Sequence, residues 1–90
     1  MEMPNGLRLA RTTSEFDELT VPVALLASHR VAVGAWGRLR VRAGTVRLVF
    51  ENTGEGQDLV AGDHGDIPPD VPHHVELGPG ARFVVEFHRP

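Results

Sequence analysis

The chain contains no cysteine and no lysine. Without thiols there can be no disulfide scaffold, thiolate zinc site, iron–sulfur cluster or cysteine nucleophile. Without lysine, all nine basic residues are arginine, set against twelve acidic residues for a net charge of −3. That balance excludes the strongly basic face that non-specific nucleic-acid binding needs. Serine is scarce too: Ser14 and Ser28 are the only two, and neither sits in a glycine-rich nucleophile turn. There is no Walker-type phosphate loop. No apolar run approaches the roughly 20 residues of a membrane helix. The opening Met1-Glu2-Met3-Pro4-Asn5-Gly6 is too polar for a secretory leader. These absences predict a cytoplasmic protein with neither nucleic acid nor membrane as partner.

Ninety residues suit one domain, since domains run from roughly 50 to 250. The apolar fraction of 41% is enough for a globular core. A core this thin gains from a bound metal or a dimer interface, and a homodimer is expected. Ten glycines and seven prolines punctuate short runs rich in Val, Leu and Phe. That pattern predicts an all-β sandwich or barrel with tight turns. Trp36–Arg42 alternates strictly, with Leu39 and Val41 on one face and Arg38, Arg40 and Arg42 on the other. Gly44 then makes a turn to a hairpin partner, Thr45–Glu51. Thr53–Gly56 reads as a flexible tip, and Gln57–Val60, His73–Leu77 and Ala81–His88 as further strands. Val23–His29, opened by Pro22, reads as another, and the prolines after Ile67 hold residues 65–69 extended. The one helical candidate is Thr13–Glu18, with Thr13 or Ser14 as its cap. Residues 1–9 are expected to be a tail and 10–90 the domain.

Five histidines in ninety residues is the unusual number. One of them closes a spaced motif, Gly62 to His73, which reads G-x5-P-x-D-x2-H. This resembles the second motif of the cupin superfamily, with Asp70 in place of the final glycine. Aspartate tolerates the left-handed turn such a glycine makes. The resemblance implies that His73 is a metal ligand inside a barrel, with His74 turned the other way by strand parity. The first cupin motif is degenerate here. Gly37 stands where its glutamate would be, its H-x-H falls near residues 30–33, where only Val31, Ala32 and Val33 stand, and His29 is about one residue early for the first histidine. A three-histidine, one-glutamate iron site is therefore not expected.

Over nearly the whole chain the order H-x6-W-G-x-L-x-V-x2-G, I-P-P-x2-P-H-H-V and R-F-x-V-E-F-H resembles a narrower group. These are the small cupin-like proteins related to YeaR and to the N-terminal domain of the tellurite-resistance protein TehB. The resemblance implies a small jelly-roll β-barrel, a divalent metal site, and a role in tellurite, oxidant or toxic-anion stress. It supplies no settled reaction.

Imidazoles suit zinc, iron, nickel, copper and manganese, and a carboxylate completes many such sets. The candidate ligands are His29 and His73, with Glu86 as a third donor and His88 as an alternative to it. Phe83, Val85 and Phe87 occupy what reads as a core face, so parity turns Glu86 and His88 outward unless a partner subunit or the N-terminal segment covers them. Trp36 reads as a stacking group at a barrel mouth, or as core or dimer interface. Arg38, with Arg40, Arg42 and Arg47, reads either as an anion-binding row or as a solvated face paired with Glu51, Glu76 or Glu86. His64 is expected in solvent, His74 at the surface or across a strand pair, and Asp63 and Asp66 as turn formers. No organic cofactor is expected. Three functions are consistent with this set: a metal-binding stress-response domain, a small metal-dependent dioxygenase or isomerase, and a metal-free, ligand-binding dimeric barrel.

Overall fold

The strict alternation around Leu39 and Val41 produces the strand expected, Trp36–Ala43, with its apolar face buried and its arginine face turned outward. Residues 2–90 are described by a computed structural model. Among the described residues seven strands form: β1 (Arg8–Thr12), β2 (Trp36–Ala43), β3 (Thr45–Phe50), β4 (Glu55–Val60), β5 (His64–Ile67), β6 (His73–Leu77) and β7 (Arg82–Arg89). Strand β1 begins inside the residues assigned to a tail, and β4 takes up half of the expected flexible tip. No helix among the described residues is long and apolar enough to cross a membrane.

The strands make two antiparallel sheets, ordered β1-β7-β2-β5 and β4-β3-β6. Leu39, Val46, Leu48, Ile67 and Phe83 are the most completely buried large side chains, and they fill the space between the layers. The turn at Gly44 is where expectation and structure differ most usefully. It does not close a hairpin: β2 pairs with β5 and β7, while β3 pairs with β4 and β6. Both strands carry an apolar face that must meet the same core, so the chain steps across to the opposite sheet. Gly44 has φ +64°, and a Cβ there would lie 2.7 Å from the Ala81 nitrogen. Only glycine permits that step.

The sheets are not closed into a barrel. On one side β4 and β5 are joined by the turn at Ala61–Asp63, tied to Val41 by bonds in both directions (Gly62 N to Val41 O, 2.9 Å; Val41 N to Asp63 O, 3.1 Å). On the other side the edges of β1 and β6 stand apart, and the segment from Thr13 to Val31 bridges them. That segment makes no ladder of its own but isolated pairings, Phe16 with Phe83, His29 with His73 and Val31 with Pro69, besides the bonds of Thr13 to Val85. It cannot form a continuous strand, because it lacks alternation and contains two bends. Asp17 Oδ1 accepts the amides of Leu19 and Thr20 (2.9 and 3.0 Å), making a side-chain turn where a helix was expected. Pro22 then starts a 3₁₀ turn over Val23–Leu26 where a strand was expected, with Leu25 N donating to Pro22 O at 2.9 Å. Short apolar runs do not distinguish strand from helix by periodicity alone.

Candidate ligand site

The bridging segment leaves a cavity of about 310 Å³ between the sheets. Phe16, Leu25, Val31, Leu39, Phe83 and Phe87 supply much of its apolar wall. His29 and His73 both line it. They come together because the backbone pairs them directly: His29 N donates to His73 O (2.8 Å) and His73 N to His29 O (2.9 Å). Their rings meet edge to face, with centroids 5.4 Å apart and planes at 85°.

Asp70 delivers His73 to this position. It is the only non-glycine with positive φ among the described residues, at +56°. The left-handed turn that the sequence expected of aspartate is therefore made, and β6 begins three residues later. His73 is buried. Its Nδ1 lies 3.0 Å from the Val71 carbonyl, which can only accept, so Nδ1 carries the proton and Nε2 is left with a free lone pair. Burial pushes the His73 imidazole below its ordinary value; the Val71 bond opposes this and the nearby His29 adds to it. His29 Nδ1 is buried and has no hydrogen-bond partner. Buried nitrogens are rarely left so, and an unmade bond of this kind costs about 1–3 kcal/mol.

Glu86 and His88 do not join this pair. They lie on the other face of β7, as the alternation with Phe83, Val85 and Phe87 requires. Glu86 accepts from Arg40 Nε at 2.9 Å and lies 3.4 Å from His88 Nε2. Trp36 and Arg38 share that outer face, opposite His88 and Glu86 in register, so neither lines the cavity. Arg38 is held by a two-pronged pair with Asp66 (2.7 and 3.1 Å). Asp66 is thus a buried partner within β5 and not a turn former, whereas Asp63 does cap its turn by accepting from Val60 N (3.0 Å). The N-terminal segment reaches this face, with Met3 N donating to Asp66 at 2.8 Å. Val31 is buried within the core. His64 is exposed, and His74 is bound between Glu51 (2.8 Å) and Glu76 (2.9 Å), whose carboxylates raise its pKa. Among the described residues no three of His, Asp and Glu are grouped to hold a metal ion.

Sequence reasoning missed Arg11, Ser14, Phe16 and Leu25 as cavity residues. No local motif marks them. The one available signal was Phe16, a lone aromatic in a polar stretch, which packs edge to face on Phe83 at 5.7 Å.

The fold and cavity define a class: a small two-sheet β domain with an imidazole-bearing pocket opening at the gap between its sheets. The chain belongs to the TehB-like domain family, which matches residues 11–85. Two solved structures share its fold. One is a protein from E. coli (strain K12), 21% identical, with a TM-score of 0.91 over all of this chain and 98% of the other. The second is TehB from Haemophilus influenzae, 20% identical, with a TM-score of 0.83 over 97% of this chain and 32% of that one. The chain therefore spans about a third of the length of that TehB structure. No curated protein sequence matches it significantly.

Proposed function

We propose that this domain is a small-ligand binding module of the tellurite, oxidant or toxic-anion stress response, and that the cavity between its sheets is where it binds. One observation carries the reading: two imidazoles meet inside an apolar pocket, and one of their nitrogens is buried without a partner. An occupant that the His29 ring turns to meet supplies that partner and recovers the cost of leaving it unmade. The stress role is supported by family membership and by the likeness to TehB. Descent from a cupin-like jelly roll, opened on one side, is supported by Asp70, which takes the left-handed turn of the second cupin motif.

A divalent cation (zinc, iron, nickel or manganese) is the second reading, favoured by the free lone pair on His73 Nε2. The donor set meets it only in part. Structural zinc takes four protein ligands and catalytic zinc three, whereas this pocket offers two nitrogens and no carboxylate. An ion there would take its remaining positions from its ligand or from water. The enzymatic alternative, a dioxygenase or isomerase, needs an acid–base group beside the ion. Its candidate was Glu86, which Arg40 holds on the opposite face. The homodimer remains part of the proposal, supported by exposed Val23, Leu26 and Val33; a sedimentation mass near that of one chain removes it.

The test is a fragment screen on ¹⁵N-labelled protein. Binding fragments are expected to move the amides of His29, His73 and Val85, and His29→Ala and His73→Ala to abolish the response. Fragments that bind only elsewhere overturn the reading. Elemental analysis of the same samples decides the cation: stoichiometric metal lost in both variants installs it in this site, and metal retained in both removes the site.

A further inference from the structure

We infer that the ligand of this cavity is a small organic carboxylate, whose anionic group Arg11 receives at the mouth while its apolar body lies inside. The inference rests on the reading that the cavity is the binding site, and adds the chemical class of what it takes.

Arg11 is the only formally charged residue among those lining the cavity. No aspartate or glutamate lines it, so the pocket carries a positive bias with nothing to neutralise it. Four arginines elsewhere, Arg30, Arg38, Arg40 and Arg47, each meet a carboxylate, and of the five that meet none among the described residues Arg11 alone lines this cavity. Its position is also fixed. The register of β1 against β7 shifts between Leu9 and Arg11, which places Arg11 opposite Phe87, and its guanidinium lies over the Phe87 ring at 5.0 Å. A guanidinium over an aromatic ring, with no carboxylate partner, keeps its fork of N–H donors free for a planar carboxylate.

The adjoining chain supports the same end of the pocket. The Thr13 hydroxyl is committed, accepting from Val85 N (3.0 Å) and donating to Ser14 O (2.8 Å), and so fixes the backbone that presents Ser14 to the cavity. Ser14 also lines the cavity, and its hydroxyl is a second donor there. Apart from Thr13 and the two imidazoles, the rest of the lining is aromatic and aliphatic. A volume of about 310 Å³ lies at the small end of the range for ligand pockets, so the body is of metabolite size.

The test compares benzoate with its neutral isostere benzamide, by amide shift titration of the full chain. Benzoate is expected to move the amides of Phe83, Val85 and His73, and to bind about tenfold more tightly than benzamide. In Arg11→Gln the two should bind equally, while Arg8→Gln, off the cavity on the same strand, keeps the preference. Equal binding of both compounds by the wild type, with cavity amides moving, overturns the carboxylate assignment and leaves the binding module standing. Loss of the preference in Arg8→Gln as well also overturns it, since general surface charge then explains the effect. Failure of both compounds to move the cavity amides overturns this inference and counts against the cavity reading too.

Discussion

The two faces of the four-stranded sheet make an instructive pair. Its outer face holds the denser collection of ionisable groups: Arg38, Arg40, His64, Asp66, Glu86 and His88 within a few strands of one another. There two of the arginines meet carboxylates. Arg38 holds Asp66, Arg40 holds Glu86, and the Met3 amide completes Asp66. The inner face looks into the cavity, where there are far fewer polar groups: Arg11 from this sheet, and the imidazoles of His73 from the opposite sheet and His29 from the bridging segment. Yet His29 Nδ1 is buried unpaired and Arg11 has no counter-ion among the described residues. A crowded polar face can be finished structure, while a sparse one can be unfinished. Unsatisfied groups, and not the number of titratable ones, separate a binding surface from a stabilising one.

The largest effect expected from this contrast is on the outer face. Asp66→Ala leaves the partly buried Arg38 and the Met3 amide without their acceptor, and should cost about 3 kcal/mol in urea unfolding. The acid limb of stability should come from the same place. Burial works to raise the Asp66 carboxyl, but the bond from Arg38 and the Met3 amide outweigh it and hold it below its ordinary 3.8. Burial likewise opposes the bonds from Arg40 and His88 that hold Glu86 below 4.5. Both groups release protons more easily folded than unfolded. Their stabilisation is complete above the unfolded values and is lost as pH falls below about 4.5 towards the folded ones. A midpoint in urea that does not change between pH 6 and pH 3.5 would contradict this, and in Asp66→Asn the fall should be shallower.

A smaller effect, of opposite sign, is expected inside. His29→Leu replaces a buried unpaired nitrogen by an apolar side chain in an apolar wall. It should stabilise the free protein by about 1 kcal/mol while removing ligand binding. A destabilised His29→Leu protein would mean that the ring is already satisfied, and the contrast between the faces would narrow.

The smallest effect belongs to the turn that places His73. Asp70 already adopts the conformation a glycine would favour, so Asp70→Gly should change stability by no more than about 0.5 kcal/mol. Asp70→Val, which resists that geometry, should cost more than about 1 kcal/mol and shift the His73 amide. Equal behaviour of the two variants in thermal melts would detach the histidine's position from the turn.

The legible parts of this molecule were those with a local physical cause. Leu39 and Val41 alternate with arginines, and β2 follows. Asp70 stands at a glycine position, and its left-handed turn follows. Parity between Phe83 and Glu86 turned Glu86 and His88 away from the core, where the structure keeps them. The stretch from Thr13 to Leu26 was not legible, because a lone apolar tetrad after a proline and an Asp-Glu cluster after a threonine satisfy several local patterns equally. Their conformations were settled by the gap they had to cross between Phe83 and His73.

From residues alone came an all-β chain, a turn poised before His73, and two histidines of unusual promise. These are consequences of side-chain alternation and backbone sterics, which act over a handful of residues. Tertiary structure alone decided that Gly44 sends the chain across the core instead of back along it, and that the sheets stay open on one side. It also decided that Arg11 and Ser14, far along the chain from His73, share a cavity with it. Those outcomes depend on which surfaces can be buried together, and burial is a property of the folded whole.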